Sequence, residues 1–592
     1  MSRIANLPRR DWVKEATPEL IREMTNICRA PNGTMVLRAS QAITLYEAAT
    51  LGGVFAAIRT GGGKTIVSGL LPYVLGAENP ILFVPAKLKK KTRIEFAQLR
   101  QHWKIPKNYR IESYEKLGQK QHEKMLDNNQ HDLVVCDEAQ LLKHVKSSAR
   151  ARRMAKHKRA YNPPMCCLSG TPGEVDEFAH LLWWCLGSGA PVPSEEEELA
   201  VWAGCLNAKV DEWARTDPAE LVPHLGPEAA DYPKKAFRDR LVSTPGIIVS
   251  VDTYEGSRLI VRPRYVEPEK ATEAAFADLR QVLEMPDGWS LADAAFEGWA
   301  AARQLGLGYY YMHDPRPPEP FRDVRKHYCK FVRTVLEYSE RYDSELQVRE
   351  ALASGHLLSP QWTPSAHLTP AHWEKARKYG IIGRTIWDAW QIMQPEYTPK
   401  RYPVWLSDAV IDSAIAWGRA AGAQQQGGII WVDSVAFGNR LVEKTGWPYF
   451  RNMGLDQNKR FIESDAVGSK ETIIASIESN KEGRNLQGKW HRNLIIDLPT
   501  QGDDMQQLVS RTHRDGQNST NVFVDYMVPC YEYYNAMFGV IERNQSDFQN
   551  WSQRYRLLDA DVVMPTLKGR KGEFAWQRAE KKKKSTAPVT IN

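Results

Sequence analysis

One stretch constrains what this chain can fold into more than any other: Phe55-Ala-Ala-Ile-Arg-Thr-Gly-Gly-Gly-Lys-Thr-Ile-Val67. Val54–Ile58 is an apolar run of strand length. Thr60 leads into the consecutive glycines Gly61, Gly62 and Gly63. Lys64 and Thr65 then open an apolar segment, Ile66 to Leu75, that reads as a helix at least to Pro72. Strand, glycine loop, Lys-Thr and helix make a phosphate cradle. Glycines let backbone N–H groups converge on phosphate oxygens with no Cβ in the way, and the helix N-terminus adds its partial positive charge. A full P-loop has a further Gly five residues before Gly63, where Ile58 stands. A glycine-rich turn that binds nothing is the alternative, and the Lys-Thr pair that follows argues against it.

The chain has 592 residues, room for three or four domains. Apolar content of 42% with 25% charged residues places it among globular proteins. No apolar run approaches the ~18–20 residues of a membrane span, and Met1–Trp12 lacks an apolar signal core. The eight cysteines include no Cys-x-x-Cys pair, and Cys136, Cys166 and Cys167 sit in apolar runs. Buried thiols in a reducing cytoplasm are the expectation.

Strand-length bursts recur at Ile81–Val84, Arg110–Ser113, Leu133–Cys136 and Met165–Leu168, separated mostly by helical segments, and β character returns over Arg238–Arg264. The rhythm resumes at Gly427–Asp433, Glu471–Ile477, Asn493–Leu498 and Asn521–Val528. Strands alternating with helices predict an α/β fold with parallel sheets. Two α/β units are expected, at 36–264 and 409–545. Residues 1–35 read as a helical extension with Thr17 as a cap, 265–408 as a mainly helical insert, and 546–592 as an extension ending in a disordered basic tail.

Leu133-Val-Val-Cys-Asp137-Glu138-Ala-Gln140 is an apolar strand ending in adjacent carboxylates, where α/β sheets place ligands. Asp137 suits a divalent cation, and Glu138 suits orienting and deprotonating an attacking water. Two solvated acids at a strand end are the bland alternative. Met165–Leu168 leads into Ser169-Gly-Thr171, candidates for relaying the occupancy of the cradle. Gln507, Arg511 and Arg514 fall at i, i+4 and i+7 of a segment, Met505–Arg514, that reads as a helix. Two guanidiniums aimed together suit a phosphate whose charge spreads during transfer. A solvated basic face is the alternative.

These pieces, in this order, resemble the superfamily 2 helicase/translocase family. Arg59-Thr-Gly-Gly-Gly-Lys-Thr65, Asp137-Glu-Ala-Gln140, Ser169-Gly-Thr171 and Gln507-x-x-Ser-Arg511-x-x-Arg514 are similar to its first, second, third and sixth motifs, with Ser510 where Gly is usual. Leu168-Ser-Gly-Thr-Pro172, Ser113-Tyr-Glu115, Gly483-Arg-Asn-Leu-Gln487 and His513-Arg-Asp-Gly-Gln517 look like the Swi/Snf branch, although Lys481 and Arg484 depart from its usual wording. The resemblance covers both α/β units and neither 265–408 nor the tail. It implies two RecA-like parallel-sheet lobes with ATP and Mg²⁺ in the cleft between them. Lys64, Asp137, Glu138, Arg511 and Arg514 would be catalytic. Arg38, Gln41, Thr60, Gly61, Gly62, Gly63, Thr65 and Gln507 would hold nucleotide, with Thr65 and Asp137 on Mg²⁺. Gln140, Ser169, Thr171, Gly483, Asn485 and Gln487 would couple nucleotide state to the track. Small, compact members of this kind are often phage-encoded, which makes a host cytoplasm the expected compartment.

The charge distribution agrees with a nucleic-acid partner. Lys87, Lys89, Lys90, Lys91 and Arg93 follow a strand end, and Lys143–Arg159 holds eight Lys or Arg and no acid. Such groups bind phosphate backbone without reading sequence, although each patch could be a solvated face. The expected activity is DNA-dependent ATP hydrolysis that drives translocation on, or remodelling of, double-stranded DNA. A protein partner on the helical insert or basic tail is a further expectation. The alternatives are a strand-separating DNA or RNA helicase and a nucleotide-gated scaffold; intact Glu138, Arg511 and Arg514 argue against the scaffold.

Overall fold

In the computed structural model the apolar bursts of the first half become parallel strands: β1 (Val54–Ala57), β2 (Pro80–Val84), β3 (Arg110–Ser113), β4 (Leu133–Asp137), β5 (Met165–Ser169) and β6 (Ile247–Val249). The structure describes residues 2–530 and 561–562, apart from 59–60, 123, 127–130, 144, 146–147, 171–172, 208–209, 211–213, 250–255, 293–296, 339–344, 396, 398–399, 482 and 500–501. These strands form a six-stranded sheet in the order β3-β2-β4-β5-β1-β6. Its two faces are both apolar. Phe55, Phe83, Cys136 and Cys167 face one core; Ala56, Leu82, Val135 and Cys166 face the other. That pattern belongs to a parallel sheet covered by helices on both sides, which is why its strands read as unbroken apolar runs.

The chain continues through β7 (Arg258–Tyr265), the antiparallel pair β8 (Tyr309–Asp314) and β9 (Lys400–Trp405), and then β10 (Ile429–Val432), β11 (Tyr449–Phe450), β12 (Ile473–Ser476), β13 (Arg492–Ile495), β14 (Asn521–Val528) and β15 (Asp561–Val562). The second sheet is parallel and seven-stranded, in the order β11-β12-β10-β13-β14-β7-β15. The molecule is therefore α/β with two parallel sheets. From sequence the first unit runs to 264, but β7 joins the second sheet. It pairs with β14 from Arg258 opposite Asn521 to Tyr265 opposite Val528. A buried salt-bridge partner fixes that choice: Arg262 Nε lies 2.7 Å from Asp525 Oδ1. The crossing between sheets thus falls between Val249 and Arg258.

Among the described residues, six helices and the β8–β9 ribbon lie between β7 and the helix Ala409–Ala423. The stretch is not one body. Phe276, Leu279, Leu305 and Tyr309 join the core of the second sheet, whereas Phe321, Tyr328, Trp362 and Trp390 build a separate core. The amino-terminal helices pack on the first sheet. Thr17 caps the helix Pro18–Cys28, Trp12 and Cys28 enter the first lobe's core, and Arg10 lies 2.5 Å from buried Glu47. Among the described residues no helix is long and apolar enough to cross a membrane. Residues 531–560 and the tail from 563 lie outside the described residues.

Candidate active site

The glycine loop uses backbone conformations that glycine adopts freely. Gly61 has φ +91° and Gly63 φ +81°. A Cβ on Gly63 would lie 2.2 Å from Gln41 Nε2. That buried amide donates to the Gly62 carbonyl at 3.2 Å, and its Oε1 accepts from the Arg38 N–H at 3.0 Å. Gln41 therefore braces the loop from beneath. Arg38 reaches across to Asp515 of the second lobe at 2.5 Å.

The helix Lys64–Val74 starts directly after the loop. Buried Lys64 places Nζ 3.4 Å from Glu138 Oε1 and donates to the Ile58 carbonyl at 3.3 Å. β4 ends at Asp137, and Glu138 then takes a left-handed φ of +53°. That conformation is strained for a non-glycine residue and persists where the surrounding structure over-determines the backbone. Gln140 Nε2 donates to Glu138 Oε2 at 2.8 Å, and the Ser169 hydroxyl at the end of β5 donates to Gln140 Oε1 at 2.7 Å. A polar chain thus runs from Lys64 through Glu138 and Gln140 to Ser169.

Burial, with Glu138 beside it, pushes the Asp137 carboxyl up to about 7. Burial pushes Glu138 the same way, but Lys64 and Gln140 outweigh it and hold that carboxyl below its ordinary range. The anion is disfavoured at one carboxyl of the pair, and the other is held ionised by Lys64.

On the second lobe the helix spans Gly502–Val509 and stops before the arginines. Gln507, Arg511 and Arg514 therefore do not share a helical face. Ser510 Oγ donates to the Gln507 carbonyl at 2.7 Å, a local bond that competes with the helix, while Thr512 Oγ1 accepts from Asn493 at 2.9 Å and His513 Nε2 donates to the Ser257 carbonyl at 2.9 Å, tying the turns that follow to distant segments. The turns still bring both guanidiniums to the cleft. Arg511 is held by Gln507 O at 2.9 Å and Arg484 O at 3.1 Å. Arg514 faces Gly61, its Nε is buried with no partner, and burial lowers its hold on its proton.

Between the lobes lies a cavity of about 410 Å³. Gly61, Gly63, Lys64, Thr65, Asp137 and Glu138 line one side, and Gly483, Asn485, Arg511 and Arg514 line the other. Gln507 and Gln487 are not among the lining residues; each has a buried Oε1 without a partner. Thr60 and Thr171 lie outside the described residues.

The basic segment Lys87–Arg93 does not form one outer face. It belongs to the helix Ala86–Leu99, whose Leu88, Lys91, Thr92, Glu95 and Gln98 complete the cavity wall. Lys91 donates across the cleft to the Gly483 carbonyl and lies 3.5 Å from Glu463, so it points inward. Lys89 is tied to Glu112 at 2.6 Å. Lys87, Lys90 and Arg93 remain on the exposed side. The i, i+3, i+4 spacing of Leu88, Lys91, Thr92 and Glu95 was the available signal for an inward face, masked by reading the lysines as a run. Glu463, which meets Lys91 from the second lobe, carries no sequence signal of its own, and nothing in the His513–Gln517 stretch says that Asp515 meets Arg38. Compared with known proteins, the chain matches no family model and no curated protein.

Proposed function

We propose that this chain is an ATP-dependent nucleic-acid motor of the superfamily 2 helicase/translocase type, with two RecA-like lobes, translocating on or remodelling double-stranded DNA. The observation that carries the proposal is the convergence of Lys64, Thr65, Asp137 and Glu138 with Arg511 and Arg514 on one cavity between two parallel sheets. No ordinary stabilising role explains two carboxylates, a lysine and two arginines buried or half-buried together at a glycine loop.

ATP would enter as substrate with its phosphates on the glycine loop. Lys64 would then exchange Glu138 for the phosphate oxygens. Deprived of Lys64, the Glu138 carboxylate becomes more basic at the moment when an attacking water must be deprotonated. Arg511 and Arg514, held by the Arg484 carbonyl, would face the charge that spreads over the transferred group. The Thr65 hydroxyl and the Asp137 carboxyl are hard oxygen donors that fit Mg²⁺, which when bound neutralises phosphate charge. Lys87, Lys90 and Arg93 would contact the nucleic-acid backbone from the exposed side of their helix.

The test is ATP turnover with duplex DNA, single-stranded DNA or RNA as stimulant, beside a strand-displacement assay. Duplex stimulation without displacement supports translocation. Displacement makes the chain a strand-separating helicase. No turnover under any condition, with ATP still bound, makes it a nucleotide-gated scaffold.

A further inference from the structure

A second cavity, of about 490 Å³, lies away from the ATP cleft, where the two parts of the 265–408 segment meet. Its floor is the β8–β9 ribbon. His313 pairs with Arg401 across that ribbon, so both side chains rise from the same face, and both line the cavity. Aromatic walls come from Tyr311, Phe321 and Tyr397.

The polar groups are unusual for a structural void. His313 is 5% exposed and its Nδ1 lies 2.9 Å from the Asp287 carboxylate, which is 1% exposed. A carboxylate only accepts, so Nδ1 carries a proton, and in the neutral ring Nε2 is the lone pair. Among the described residues that Nε2 is buried with no hydrogen-bond partner. The Asp–His pair is held from behind: the His313 ring stacks on Trp289 at 4.1 Å, and Arg325 covers Trp289 at 3.9 Å while donating to the Ser290 carbonyl. Trp289 and Arg325 are therefore committed to bracing. At the rim, Arg401 is exposed and, among the described residues, has no carboxylate within ion-pair distance.

A ligand that satisfies these groups is flat and apolar on its faces, offers an N–H to a buried imidazole lone pair, and carries an anion toward Arg401. The volume suits a small organic ligand, whose sites run to about 300–1,000 Å³. We propose that this cavity binds a single nucleotide unit, with its base among Tyr311, Phe321 and Tyr397, a base N–H on His313 Nε2, and its phosphate at Arg401. Unstacked bases are held by proteins in this manner, through aromatic contacts and edge hydrogen bonds. The unit could be a free nucleotide or one unstacked from a nucleic-acid strand; the chemistry is the same.

The test uses the full chain with the ATP cleft saturated by a non-hydrolysable ATP analogue and Mg²⁺. Binding of deoxynucleoside 5′-monophosphates and the matching nucleosides is followed by saturation-transfer NMR and calorimetry. The monophosphates should bind more tightly than the nucleosides. Arg401→Ala should abolish that difference, a loss of roughly tenfold for one charge-assisted contact, while leaving ATP turnover at the wild-type level. His313→Phe should weaken nucleosides and nucleotides alike; because that change strands Asp287, the exposed Arg401→Ala variant carries the decision if it misfolds. A strand source is separated by a single-stranded oligonucleotide with and without one abasic position: preference for the intact base, kept in Arg401→Ala and reduced in His313→Phe, identifies the strand. Nucleotide binding that is absent, or that neither variant affects, overturns the proposal. So does binding of N-acetyltyrosinamide in place of nucleotides, which would mark a peptide site. ATP turnover and this binding are read separately, so failure of one leaves the other standing.

Discussion

Replacing Gly63 by Ala and then removing Gln41 tests the construction of the phosphate loop. Two separable costs fall on Gly63→Ala. The left-handed φ of +81° costs an L-residue about 1–2 kcal/mol. The new Cβ, 2.2 Å from Gln41 Nε2, must also evict that amide from its bond to the Gly62 carbonyl, at about 0.5–1.5 kcal/mol for a lost hydrogen bond. The single variant should therefore loosen this region by about 2–3 kcal/mol. Gln41→Ala alone loses both amide contacts, to Gly62 O and from Arg38 N, for about 1–3 kcal/mol. In the double variant the eviction has already happened, and only the φ cost is added. It should be milder than the sum of the singles by about 1 kcal/mol, above the ~0.3–0.5 kcal/mol scatter of independent sites. Local opening of the helices Ala39–Leu51 and Lys64–Val74, read by native-state hydrogen exchange, is the assay. Additive singles, or a Gly63→Ala protein that exchanges like wild type, would refute the bracing role of Gln41.

Four further outcomes are expected. Glu138→Gln should stop turnover and keep ATP bound, whereas Lys64→Ala should weaken ATP binding as well; equilibrium binding beside a turnover assay separates them, and normal turnover in Glu138→Gln removes that residue from catalysis. Because the Asp137 carboxyl is raised to about 7, its stabilising contribution is complete below the ordinary carboxylate range and disappears as pH rises through about 7. Asp137→Asn should therefore gain thermal stability on the wild type as pH rises from about 4 to about 7 and keep that gain above it, without nucleotide or Mg²⁺; a pH-independent difference contradicts the shift. Combined Lys87→Ala, Lys90→Ala and Arg93→Ala should flatten the salt dependence of duplex binding by about 0.9 in slope per lost phosphate contact and spare basal turnover; an unchanged slope places the track elsewhere. Lys91→Ala cuts the link to Glu463 and Gly483 and should widen the distribution of distances between labels on the two lobes, with no change meaning that Arg38–Asp515 alone keeps them together.

Local chemistry was legible where neighbours in sequence decide it. The strand ending at Asp137, the loop ending at Gly63 and the capped helix after Thr17 all follow from residues within a few positions of one another. What could not be read is what distant segments decide. Nothing in Arg258–Tyr265 says that its partner is β14, 263 residues on, rather than β6 next door. The β8–β9 ribbon likewise joins Tyr309 to Trp405 across the whole of a separate core. Arg511 and Arg514 show a subtler limit. Their spacing fits a helix, but the helix stops at Val509, with Ser510 bonded back to the Gln507 carbonyl and Thr512 and His513 tied to distant segments. Lys91 was misjudged by chemistry rather than position: a lysine among lysines looks solvated until a carbonyl and a glutamate are found facing it.

The placement of β7 gives the polypeptide an uneven anatomy. Everything from Arg258 onward that carries a strand of the second sheet, the separate core around Trp390 included, hangs from the first lobe by one backbone passage after Val249. Arg303, on a helix that shares the second sheet's core, reaches Asp433 at 3.2 Å. A swing of the second lobe therefore carries that whole mass along as a lever arm, and its displacement grows with distance from the passage. A backbone nick between Val249 and Arg258 would leave both sheets with their full complement of strands, so two separately produced halves should find each other and assemble, with only the tether gone.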